Sequence, residues 1–230
     1  MTTFYLHPLN AHHALTPILP EIRAGARHAV AMASDLVAVP DFDLVVRAEP
    51  GGGATDWGMS GYAPAPGLVE IMLDPARYNA QALIRTLLHE MHHIVRWAGP
   101  GYGRSLGETL VSEGLAGHFV LQVLGGQPDP WDRTVPSAGL ARRAQNEWSR
   151  LDFSYAEWFQ GKAGLRKWSG YGLGHRLIAE YLTQAPDDTA ASLAQTGADA
   201  FRAAMRRLVT AEGAAPDAPA DAPAADHAQG

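Results

Sequence analysis

The pentapeptide His89-Glu90-Met91-His92-His93 sets two imidazoles four residues apart, with a carboxylate directly after the first. On a helix, residues four apart share a face, so His89 and His93 can converge on one ion. Glu90 then lies about 100° further round the helix, where it can reach an activated water without ligating the metal itself. Chance gives this spacing in roughly one chain of this composition in fifty, so specificity requires a third ligand. Catalytic zinc characteristically takes three protein ligands and leaves one position open. Glu113, twenty residues beyond His93 in Ser112-Glu113-Gly114-Leu115-Ala116, is the candidate. The chain has no cysteine, which excludes thiolate sites and disulfides and leaves His, Asp and Glu to hold any metal. Two imidazoles and a carboxylate make Zn2+ the expected cofactor.

The chemistry expected of these parts is hydrolysis of a peptide bond. The metal acidifies a water and polarises the scissile carbonyl, and Glu90 acts as general base. The tetrahedral oxyanion needs a further donor. Tyr171 and His175, four apart at an expected helix start, are the candidates, and the sequence does not choose between them. Two rival functions stay open. One is a non-catalytic, zinc-stabilised binding or interaction protein, against which Glu90 speaks, because a structural site has no use for a base beside its first ligand. The other is a zinc amidohydrolase of non-peptide amides, which would use the same residues.

The two-His-plus-Glu arrangement resembles the gluzincins, the thermolysin-like zinc peptidases. More closely, Leu88 to Phe119, with Leu88-His89-Glu90-Met91-His92-His93 and then Gly107-Glu108-Thr109-Leu110-Val111-Ser112-Glu113-Gly114-Leu115-Ala116, is similar to a bacterial family of predicted zinc-dependent proteases of unknown function. The resemblance continues into Gly58-Met59-Ser60-Gly61-Tyr62 and Ser169-Gly170-Tyr171-Gly172-Leu173-Gly174-His175, and so spans roughly residues 15 to 210. It implies a reaction class and no substrate. Thermolysin-like enzymes carry an acidic residue four positions after the glutamate ligand. Here Gly117 stands there, so the partner of a ligand histidine must come from elsewhere.

These residues need helices behind them, and the pattern supplies helices. Leu83, Ile84, Leu87, Leu88, Met91 and Ile94 recur at helical spacing in a segment from Asn79 to Trp97. The run Ala98-Gly99-Pro100-Gly101-Tyr102-Gly103 breaks it, and a second helix is expected from Ser105 to Leu124, stopped by Gly125-Gly126. Upstream, Thr16-Pro17 opens a helix that ends before Pro40. Asp43–Ala48 reads as a strand, and Trp57–Asp74 as a hairpin whose returning strand is Leu68–Leu73. Further helices are expected near Ser137–Arg150, Ser154–Phe159, Tyr171–Leu182 and Asp199–Val209. Strands early and helices late give an α+β class: a zincin-like domain over 1–211, with a small antiparallel-edged sheet packed on the active-site helix. The edge strand beside the cleft would be Leu68–Leu73 or Met59–Tyr62. Residues 212–230, rich in Ala, Pro and Asp, read as a disordered tail.

Composition sets the remaining bounds. A hydrophobic share of 47% suits a globular core, and no apolar run reaches membrane-spanning length. The first residues lack a basic stretch followed by an apolar one, so the cytoplasm is the expected compartment. Net charge is -6, and the basic pairs Arg142-Arg143 and Arg206-Arg207 are scattered, which argues against nucleic acid as a partner. The expected partner is a peptide or protein substrate.

Overall fold

The computed structural model describes residues 2–51 and 57–214. The fold is mixed α+β, with one four-stranded sheet and seven α-helices among the described residues. The strands are β1 (Phe4–Leu9), β2 (Phe42–Ala48), β3 (Met59–Ala65) and β4 (Leu68–Leu73), in spatial order β1-β2-β4-β3. β1, β2 and β4 run parallel, and β3 pairs antiparallel with β4. Between β1 and β2 the chain crosses over through α1 (Leu19–Ser34), the connection that a parallel pair demands. Alternation in β2 turns Phe42, Leu44 and Val46 into the core and Asp43 and Arg47 to solvent. The face beneath is therefore apolar, and α2 (Ala80–Arg96) packs there against β3, β4 and α1.

Two expectations about the sheet need correction. Leu68–Leu73 is an inner strand, because β2 pairs along its far side; of the two candidates, only β3 is an edge. The sequence also gave no warning of β1, the opposite edge. It carries Pro8, which an edge strand tolerates because no ladder bond is lost on its open side.

The helices over 80–96 and 106–124 follow the expected boundaries closely, whereas the one expected near Ser137–Arg150 is confined to Leu140–Asn146. Asn79 caps α2, its side chain accepting from the Ala82 amide at 2.9 Å. α3 (Leu106–Leu124) starts on a capping box: Ser105 Oγ accepts from the Glu108 amide, and the Glu108 carboxylate accepts from the Ser105 amide at 2.8 Å. It ends at Gly125, whose φ of 64° a side chain would resist. α4 (Leu140–Asn146), α5 (Tyr155–Gln160), α6 (Ser169–Gln184) and α7 (Arg202–Ala214) complete the fold. α3 is buried nearly all round, lodged between α2 and α6.

α7 runs past the expected start of the tail. Glu212 still belongs to it and accepts from the Ala141 amide at 3.4 Å, so helix packing reaches beyond residue 211. The rest of the expected tail, residues 215–230, lies outside the described residues. Among the described residues no helix is long and apolar enough to cross a membrane.

Candidate metal centre

α2 and α3 pack side by side, and each turns a ligand stripe toward the other. His89, His93 and Glu113 are all buried, and one potential donor atom from each lies within 4.8 Å of the others. Glu113 Oε2 sits 3.1 Å from His89 Nε2 and 3.5 Å from His93 Nε2. Both imidazoles thus aim the same nitrogen at one carboxylate. The second nitrogen of His93, Nδ1, lies 3.1 Å from Ser112 Oγ. That of His89 has no hydrogen-bond partner although it is buried. Two neutral imidazole nitrogens and a carboxylate oxygen fit a borderline divalent ion such as zinc, and a cluster this tight and this buried has no apolar rationale.

The electrostatics of the metal-free chain express the same crowding. Burial opposes charge on His89, yet the Glu113 hydrogen bond and the charges of Glu90, Glu113 and Asp132 lift its pKa to about 9. Burial would raise Glu113, but the two imidazoles outweigh it and hold the carboxyl below its ordinary range. Burial pushes Glu90 up to about 8, with Glu113 adding to the effect and His89 opposing it. A histidine that stays protonated to pH 9 must surrender that proton to a metal.

Glu90 lines a cavity of about 90 Å³ together with His89, Met59, Gly61, Thr86, Trp131, Trp168 and Tyr171. β3 passes directly over it. A Cβ on Gly61 would come within 2.5 Å of Glu90 Oε1, so only glycine lets the strand approach this closely. Beyond Gly61 a larger groove of about 650 Å³ opens, walled by Tyr62, Tyr102, Phe153, Tyr155, Trp168 and Tyr171. Trp168 borders both spaces and holds a left-handed backbone (φ 69°, ψ 12°) just before α6. A bulky residue in that conformation costs about 1–3 kcal/mol, a strain met where a side chain must be aimed.

Tyr171 lines the cleft, with its hydroxyl 2.8 Å from that of Tyr155. The Tyr102 hydroxyl donates to Glu113 Oε1. The structure does not bring His175 to this cleft. Its ring stacks on His118 at 4.0 Å between centroids, and its carbonyl accepts from His118 Nε2. One helical turn separates it from Tyr171, about 6 Å along the axis, and that turn carries it past the cleft onto α3. Burial, then His118, lowers its pKa to about 3.

His92 points away from the cluster and donates from Nε2 to the Ala190 carbonyl at 3.1 Å. Tyr102, Ser112, Asp132 and Tyr155 all contact or charge the cluster, yet the sequence did not single them out. Only Ser112 carried a signal, as the residue directly before the third ligand.

Residues 26–202 match a protein family described as predicted Zn-dependent protease (DUF2268). The chain is also similar to the uncharacterized protein YjfC of Bacillus subtilis (strain 168), at 27% identity over 146 residues. That match covers 55% of this chain and 48% of the relative, so the chain spans about half the relative's length. No solved structure matches.

Proposed function

This chain belongs to the DUF2268 family of predicted Zn-dependent proteases, and from that premise we propose that it is a zinc-dependent peptidase of zincin-like, gluzincin type. The observation that carries the reading is the buried His89–His93–Glu113 cluster with Glu90 beside it, facing a cavity. A site meant only to stabilise a fold would close its remaining position with protein; here the open side is a cavity floored by a carboxyl group.

His89, His93 and Glu113 would hold the ion. Bound there, zinc supplies Lewis acidity and a lowered pKa for water. Glu90 takes the proton of the attacking water and passes it to the leaving amine nitrogen. Its raised pKa suits a group that must hold a proton between those two transfers. The open edge of β3, running over Glu90 at Gly61, aligns an extended peptide through main-chain hydrogen bonds. The Tyr171 hydroxyl, backed by Tyr155, donates to the carbonyl oxygen as charge builds on it. His175, engaged with His118, takes no part.

The test is zinc content and peptide-library hydrolysis of the purified chain, with Glu90→Gln as control. Stoichiometric zinc with hydrolysis that the variant abolishes is the expected result. Zinc without hydrolysis of any peptide moves the protein to the binding-module reading. Hydrolysis confined to small non-peptide amides moves it to the amidohydrolase reading.

A further inference from the structure

We propose that Asp132 is the positioning residue of the ligand His89, a carboxylate delivered from a loop into space that Gly117 leaves on α3. The inference rests on the zinc reading above and adds a residue to it. Asp132 is 3% exposed, and neither of its side-chain oxygens has a hydrogen-bond partner. Buried carboxylate oxygens without partners are costly enough to require an explanation. His89 Nδ1 is an orphan of the opposite kind, a buried ring nitrogen able to donate once Nε2 is committed to a metal. Each group feels the other's charge. The neighbouring ligand already shows the pattern: His93 points Nε2 at Glu113 and finds an oxygen, Ser112 Oγ, for Nδ1.

Gly117 explains the place. It stands four residues after Glu113, one turn along α3. A Cβ there would meet Asp132 Oδ2 at 2.5 Å and Oδ1 at 3.1 Å. The helix therefore offers no carboxylate of its own at that turn and makes room for one from outside. The loop that brings it is fastened to α2. Arg85 Nε donates to Asp129 Oδ1 at 2.5 Å, and Arg85 Nη2 donates to the Gln127 carbonyl at 3.2 Å. Arg85 lies one turn before His89, so the clamp and the ligand it serves share a helix stripe. The Arg133 amide bonds the Asp129 carbonyl at 3.1 Å, which closes the loop into a turn around Asp132.

The prediction is a relocation experiment on the full chain, read by zinc affinity in chelator competition and by the visible spectrum of the cobalt-substituted protein. Asp132→Ala lowers zinc affinity about 10- to 100-fold, the range for losing the partner of a ligand histidine. Gly117→Asp with Asp132→Ala moves the carboxylate onto α3 and recovers most of that loss. Gly117→Ala with Asp132→Ala fills space without a charge and recovers none. Wild-type affinity in Asp132→Ala, or equal recovery in both double variants, overturns the assignment. Should the alanine variant not fold, Asp132→Leu removes both oxygens at similar volume, and wild-type affinity in it overturns the assignment equally. A wild-type chain that takes up no zinc overturns the zinc reading itself, and this inference with it.

Discussion

Glu113 and Gly114 are adjacent on α3 and face opposite materials. Glu113 looks toward the cleft, where its carboxylate meets two imidazoles and a tyrosine hydroxyl. Gly114 looks into the seam with α6, where a Cβ would collide with the backbone carbonyl of Gly174 and press on Ile178. Gly174 repeats the arrangement, its own missing Cβ leaving room for the Leu110 carbonyl. The cleft also depends on a glycine, Gly61, but there the space is yielded to the Glu90 side chain. One close approach fixes where a helix lies; the other lets a strand pass against a buried carboxyl group. A ligand carboxylate can then be placed accurately by backbone contact one residue away, while its polar surroundings stay adjustable.

Four substitutions and one titration test this division. The largest effect belongs to the cleft. Glu90→Gln should lower turnover by about 10²- to 10⁴-fold while zinc content stays stoichiometric, because the amide keeps the shape and cannot accept the proton. Full activity in this variant would remove Glu90 from the chemistry. Glu113→Ala should weaken zinc binding by more than about 100-fold, beyond what loss of a supporting partner does, since two imidazoles remain. Unchanged affinity would mean that another group supplies the third ligand.

The next pair sets the two glycines against each other. Gly114→Ala forces α3 and α6 apart and should cost about 1–3 kcal/mol of stability, measured by urea denaturation. Gly61→Ala should leave stability within about 1 kcal/mol and reduce turnover, because the displaced group is the Glu90 carboxylate. If both variants lose stability alike, the distinction between seam and cleft fails.

The smallest effect is a pH dependence of the metal-free protein. His89 has a folded pKa of about 9 against an ordinary 6.5, so its stabilising contribution is complete below pH 6.5 and disappears as pH rises through 9. Glu90, raised to about 8 from 4.5, acts in the same direction, its contribution complete below 4.5 and lost through 8. Melting temperature without metal should therefore fall between pH 6.5 and 9, and bound zinc should flatten that slope by taking the place of the His89 proton. A metal-free melting curve that rises over this window would contradict the placement of these charges.

The parts legible in the sequence share one property: they are periodic and local. His89, Glu90 and His93 occupy one helix, Glu113 the next, and the caps at Asn79, Ser105 and Gly125 announce both helices. Asp132, Tyr102 and Tyr155 come from loops or short helices, where no period marks a side chain as inward. His175 was legible for the wrong reason. It shares a helix stripe with Tyr171, but a stripe extends past the cleft, and spacing cannot say where the cleft ends. β1 escaped because its partner, β2, lies more than thirty residues further on, across a helix. Parallel pairing leaves no turn in the sequence to read.

The α2–α3 pair has a consequence for the order of assembly. The candidate metal donors and Glu90 lie between positions 89 and 113, on two consecutive helices. Four of the aromatic wall residues, Trp131, Tyr155, Trp168 and Tyr171, come later in the chain. Local helical contacts form early, and a chain growing on the ribosome completes this hairpin before those four exist. An ion captured at that stage would favour the native pairing of the two helices by mass action, ahead of the rest of the core. Metal supply would then govern how fast the protein matures as well as whether the proposed site is filled.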